Sequence, residues 1–309
     1  MKNKTNFMTK TWVIVVGAMI CCTLWGSAFP CIKIGYRMME IAAADTASQI
    51  LYAGYRFTLA GVLTIVLGSI LQRKILLPKR SAIGKIGLLS LLQTVLQYLF
   101  FYIGLAHTTG VKASIIEAVS TFVAILVAGY LFHQETVTSR KMLGCLIGFA
   151  GVVLVNVAGS GMDFHFSPAG DGCILLSTVA YAFSSVCMKR FSQKEDPVML
   201  SGYQFILGGI VMIVCGGAMG GHLKAFTASA AALLIYMAMI SAVAYSLWGM
   251  LLKYNPVSKV TVFGFMNPVI GVILSALLLN ETESLGVSSV LALGLVCVGI
   301  YIVNAKDKD

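Results

Sequence analysis

The sequence predicts an all-α polytopic membrane protein with ten transmembrane helices in two inverted five-helix repeats. Three observations carry that reading. Of the 309 residues, 58% are hydrophobic and only 11% charged, with a mean hydropathy of +0.90, whereas a soluble domain is about half apolar and about one quarter charged. Ten apolar runs are each long enough to cross a bilayer, which takes about 20 helical residues. Two stretches of about 150 residues also carry the same landmarks in the same order, the mark of a tandem duplication.

The elements follow in chain order. A tail, 1–11, holds Lys2, Lys4 and Lys10 and precedes the first run at 12–34, which is too long for a signal peptide and lacks a convincing cleavage site, so it stays as the first helix. Runs two to five lie at 49–71, 83–105, 112–132 and 141–158, completing a first repeat at 12–158. An external connection, 159–169, leads to a second repeat at 170–304, with runs at 170–190, 198–219, 228–252, 259–279 and 286–304, and a tail at 305–309. Pro78, Pro168, Pro197 and Pro256 punctuate the connections. Only Pro30 and Pro268 fall inside runs, where they are hinge candidates expected to kink the helix. Runs this continuous do not suit an outer-membrane barrel, and backbone in hydrocarbon must satisfy its own hydrogen bonds, which leaves helices.

Charge sets the orientation. With the N-terminus inside, 17 of the 22 basic residues fall in cytoplasmic segments, against three outside (Arg37, Lys112 and Lys224). The positive-inside rule thus puts both termini in the cytoplasm of a plasma or inner membrane and accounts for the +10 balance without nucleic acid. The eight cysteines lie in apolar stretches without C-x-x-C spacing and read as packing residues, not as a metal site.

The repeat is visible residue by residue. Leu131 to Thr136 answers Leu277 to Thr282, and Gly151 to Asn156 answers Gly299 to Asn304. Tyr55-Arg56-Phe57 with Gly61 answers Tyr203-Gln204-Phe205 with Gly209, and Trp25 with Lys33 answers Tyr181 with Lys189. Five spans per unit is an odd number, so the second copy enters the membrane from the opposite face. Such inverted repeats suit alternating access around a central site.

Trp25-Gly26-Ser27-x-Phe29, Tyr55-Arg56-Phe57, Glu135 and Gly144-x-x-x-Gly148-x-x-Gly151, with their counterparts Tyr181-Ala182-Phe183, Tyr203-Gln204-Phe205, Glu281 and Gly299, also resemble the drug/metabolite transporter superfamily, specifically its EamA-type ten-helix branch. The resemblance covers essentially the whole chain. It implies a carrier with a central cavity that moves small metabolites such as amino acids, often outward. Glu117 departs from that pattern, since small or apolar residues are more usual there.

Ionisable groups inside membrane helices are costly and default to functional candidates. Lys33, Arg56 and Glu117 are those candidates, and all lie in the outer half of the first repeat. One reading makes Glu117 a protonatable carboxylate paired with Arg56 or Lys33 and exchanged for substrate or proton; the other makes the pair a static register lock with Lys33 snorkelling. Trp25 and Tyr181, symmetry mates near mid-membrane, are candidates for packing against a solute, and Asn267 beside Pro268 offers polar groups and a freed carbonyl. Glu135 is expected to end its helix in a structural role.

No G-x-x-x-x-G-K-[ST] loop and no H-E-x-x-H occurs, so the energy comes from gradients rather than bound ATP, no enzymatic activity is expected, and no cofactor or metal is required. The function expected is secondary active transport, as an exporter, of small metabolites. An importer or uncoupled facilitator and a non-transporting receptor or scaffold stand as alternatives. The expected partners are the lipid bilayer, a small-molecule substrate and protons, with a homodimer open.

Overall fold

The computed structural model describes residues 7–42, 44–108, 110–157, 166–224, 227–279 and 287–305. The described residues form ten helices long and apolar enough to span a membrane: α1 (Thr11–Met38), α2 (Thr46–Leu71), α3 (Arg80–Leu105), α4 (Lys112–Leu131), α5 (Ser139–Val157), α6 (Pro168–Ser192), α7 (Pro197–Ala218), α8 (Ala228–Tyr254), α9 (Val257–Leu274) and α10 (Val287–Asn304). Each expected run finds its helix. The tips of both tails, most of the 159–169 connection and Glu281 lie outside the described residues. An even number of spans brings both termini to one face, called here the terminal face.

Local sequence explains where the helices begin. The Asp45 side chain accepts the Ser48 amide at 3.0 Å and starts α2. Asp196 accepts the Val198 and Met199 amides at 2.9 and 3.0 Å to start α7, with Pro197 in the first turn, where its missing N–H costs nothing. Pro256 starts α9 without a side-chain cap of its own. Long helices turn irregular in places. A π-helical stretch interrupts α3 at Ser90–Leu96, another ends α4 at Val127–Leu131, a third opens α6 at Pro168–Gly172, and a 3-10 turn breaks α9 at Val262–Phe265. α1 runs through Pro30 as one helix.

Packing falls into matched sets. α1 packs on α8 and α9, while α6 packs on α3 and α4; α2 meets α8, while α7 meets α3. Two antiparallel seams, α2 on α7 and α5 on α10, join the halves. The first is close enough to require glycine: a Cβ on Gly61 would lie 2.5 Å from the Gly202 carbonyl oxygen, and one on Gly209 would lie 2.9 Å from that of Gly54. Small residues permit such backbone contact in membranes, where association rests on packing rather than on water exclusion. The face away from these seams is apolar and exposed, as at Leu71, Tyr130, Val290 and Tyr301, which suits contact with lipid.

Candidate functional site

Between the halves lies a cavity of about 160 Å3. Trp25, Ala28 and Ile32 line it from α1, Arg56 from α2, and Gln97, Tyr98 and Phe101 from α3. α4 supplies Ser114, Glu117 and Thr121, and α6 supplies Ser177, Thr178 and Tyr181. Tyr245 and Trp248 of α8 and Thr261, Asn267 and Pro268 of α9 line it as well. The sequence candidates Trp25, Arg56, Glu117, Tyr181, Asn267 and Pro268 thus meet on one cavity. Lys33 is exposed on α1 and Pro30 is buried in it, and neither belongs to the lining.

The walls are aromatic. Trp25 meets Tyr245 and Trp248 edge-on at 5.1 and 5.0 Å between ring centres, and the Tyr98 and Tyr245 hydroxyls are 3.0 Å apart. Phe57 stacks on Phe205 just behind them, at 5.3 Å and 10°.

Arg56 is buried, and its Nη2 donates to the Ser241 hydroxyl at 3.0 Å. Its guanidinium lies 4.9 Å from the centre of the Phe57 ring, a cation–π distance. Glu117 is half-buried, and among the described residues no ion pair joins it to Arg56 or Lys33. The ion pair expected from sequence is therefore not formed in this state: the two charges face one cavity from different helices. Three buried N–H donors on the lining (Arg56 Nε, Trp25 Nε1 and Trp248 Nε1) and two acceptors (Gln97 Oε1 and Asn267 Oδ1) have no protein partner. Groups of this kind are normally satisfied. A cavity whose lining residues keep five buried polar atoms unpartnered has the chemistry of a binding site for a polar solute or water once those side chains turn toward it.

Toward the terminal face the lining ends on Trp248 and Thr261, beyond which the chain is stitched shut. Glu135, in the connection from α4 to α5, accepts the Ser258 amide at 2.9 Å and the Ser258 hydroxyl, so a carboxylate of the first half caps α9 of the second. Lys141 donates to Glu135 at 2.8 Å and to the Thr136 carbonyl at 2.6 Å. Lys189 donates to the Leu252 and Asn255 carbonyls at the end of α8, and Asn255 donates to the Met8 carbonyl at 3.0 Å. Near the other face, Asp171 in α6 accepts from the Thr108 hydroxyl and from the Ser167 amide at 2.9 Å, with Lys112 at 3.6 Å.

Sequence reading did not single out Gln97, Ser241 or Asp171. Polar residues inside apolar runs were the available signal for all three, but the residue facing each could not be read.

Among the described residues no cluster of His, Cys, Asp and Glu could hold a metal ion. The sequence profile of the EamA-like transporter family matches residues 12–157 and residues 168–305. An uncharacterized transporter of Archaeoglobus fulgidus is 28% identical over 306 residues, covering 96% of this chain and 99% of that protein. The uncharacterized inner membrane transporter YedA of Escherichia coli K12 is 28% identical over 295 residues, covering 92% and 90%. A solved protein structure shares the fold, with a TM-score of 0.77 over 94% of this chain and 96% of its own, at 15% identity.

Proposed function

The chain belongs to the EamA-like transporter family, and from that premise we propose that it is a secondary carrier that exports small dipolar metabolites such as amino acids by alternating access between two inverted repeats. The observation that carries the substrate class is the pairing of opposite charges across one cavity without contact between them. Arg56 keeps Nε open beside two tryptophan N–H groups, which suits a carboxylate. Glu117, with the Asn267 and Gln97 carbonyl oxygens also open, suits an ammonium group. Arg56 keeps one buried N–H unpartnered and Glu117 has no ion pair among the described residues, so a ligand bearing both charges would satisfy both ends at once. Tyr98, Tyr181, Tyr245 and Trp25 are left to face its apolar part.

The lining spans most of the membrane depth: Ser114 and Phe101 lie about 3 and 6 Å from their helix ends at the face opposite the termini, and Thr261 about 6 Å from the terminal-face end of α9, at 1.5 Å per residue. Basic residues gathered on the terminal face, among them Arg73, Lys74, Lys79 and Arg80, support a cytoplasmic location for that face in a plasma or inner membrane. On this orientation the contacts of Glu135, Lys141 and Lys189 at the terminal face support reading this state as the one closed inward. Glu117 takes up a proton from outside when substrate leaves, and gives it up when substrate binds from within, which couples export to the proton gradient.

Counterflow tests the reading. Purified protein in liposomes preloaded with unlabelled amino acids should accumulate labelled members of that pool above empty liposomes, and Glu117→Gln and Arg56→Gln should lose this while remaining folded. Folded wild-type protein that accumulates none of the pool would rule out amino acids as cargo.

A further inference from the structure

Phe57 and Phe205, paired by the repeat, stack on each other, and the hydroxyls of Tyr98 and Tyr245, 147 positions apart on the third helix of each half, also meet. A residue touching its own equivalent marks a two-fold axis. The same correspondence carries Arg56 onto Gln204 and Ser241 onto Thr94. Both resulting contacts exist: Arg56 Nη2 donates to Ser241 at 3.0 Å, and the Thr94 hydroxyl donates to Gln204 Oε1 at 2.6 Å.

The two contacts differ in surroundings. Arg56 lines the open cavity, whereas Gln204 and Thr94 are absent from its lining and are fully buried. The Gln204 Nε2 donor has no partner, and neither has Gln93 Oε1, one residue before Thr94. The backbone there is the π-helical stretch of α3, Ser90–Leu96, while the corresponding part of α8 is regular helix. π-Helical turns frequently accompany functional sites. Two unpartnered amide atoms in a tightly packed region are costly to keep for packing alone, since an apolar pair would fill the same space.

We infer that Gln204, with Thr94 and Gln93, is a second polar contact on the translocation path, closed here and opened to the terminal face when the halves exchange conformations. There the Gln204 amide takes the acceptor end of the solute, the carboxylate in the amino-acid reading, that Arg56 takes on the other side. This rests on the carrier reading above. Because Gln204 offers a neutral N–H where Arg56 offers a cation, the carrier binds more weakly from the terminal face than from the opposite one.

The test is sided. Proteoliposomes of defined orientation are assayed with the labelled amino-acid pool for half-saturation from each face, in wild type and in a Thr94→Val, Gln204→Leu double variant. The inference expects a lower half-saturation on the Arg56 side in wild type. In the variant, half-saturation from the terminal face should rise at least tenfold, that from the opposite face should stay within twofold, and thermal stability should hold. A variant that shifts both faces equally, or neither, overturns the inference while transport by wild type upholds the carrier reading; wild type that carries nothing overturns both. Should the double variant fail to fold, Gln204→Cys decides: an impermeant maleimide should reach it from the terminal face during turnover and not from the other, and no reaction from the terminal face overturns the inference.

Discussion

Glu135 ties the connection between α4 and α5 to the start of α9, and the cost of replacing it can be worked out from its contacts. Its carboxylate serves two masters, the α9 N-terminus through Ser258 and the Lys141 ammonium, with side chains only 5% and 9% exposed. Glu135→Ala removes both. Stranding a buried cation costs about 3–5 kcal/mol and losing a helix cap costs about 1 kcal/mol; Lys141 keeps the Thr136 carbonyl and sits near the membrane surface, so the lower end applies and about 4 kcal/mol is expected. Glu135→Gln keeps a carbonyl oxygen for Ser258 and loses only the charge, so about 1.5–3 kcal/mol is expected, the range for a hydrogen bond to a charged group. On the carrier reading these contacts break when the terminal face opens, so the Gln variant should move the population toward the state open to that face by roughly 10- to 150-fold. The assay is the thermal midpoint in detergent together with impermeant thiol labelling, from the terminal face, of a Thr261→Cys reporter at the cavity floor. A smaller fall of the thermal midpoint in Gln than in Ala, with faster labelling in Gln than in the reporter alone, is the expected pair. If labelling is unchanged while both variants lose stability equally, Glu135 is a fold staple and the latch argument is wrong.

Ser241→Ala should free the Arg56 guanidinium from its aim and raise half-saturation from the opposite face about tenfold, the worth of one charge-assisted hydrogen bond, with Ser241→Thr retaining wild-type values in the same uptake assay. Gly61→Val should separate α2 from α7, because even a Cβ there would meet the Gly202 carbonyl oxygen at 2.5 Å, and the melting temperature should fall by more than for Gly217→Val, where a Cβ meets nothing. Asp45 is held below the ordinary carboxylate value of 3.8 by the Ser48 amide, so its cap contributes above that value and is lost as pH falls through the lower folded one. The melting temperature of Asp45→Ala should therefore lie below wild type at neutral pH, by the equivalent of about 1 kcal/mol, and the gap should close on acidification to the folded value.

How far the sequence leads depends on what signal each feature leaves. Ten spans were legible because bilayer thickness dictates run length, and Asp45, Asp196 and Thr227 mark helix starts by chemistry that is local in sequence. Glu135 was expected at a helix end, but its reach to Ser258, across 123 positions, was not legible. Arg56 and Glu117 stood out because charge is rare in apolar runs. Which faces turn inward was hidden for the opposite reason: with lipid outside and protein inside, both sides of a helix are apolar, and periodicity carries no information. Hence Gln97 and Ser241 emerged only from coordinates. The π-helical turns left no mark in residue type.

The α2–α7 seam has a history written into it. Gly54 meets Gly209 and Gly61 meets Gly202, so the surface of one half is complementary to its own copy, the property that defines an isologous dimer interface. A seam of this kind would let two copies of one half, set in opposite orientations, close on each other as a pair. Two copies carried in one polypeptide need not stay identical, and here arginine stands at position 56 where its mate, position 204, is glutamine.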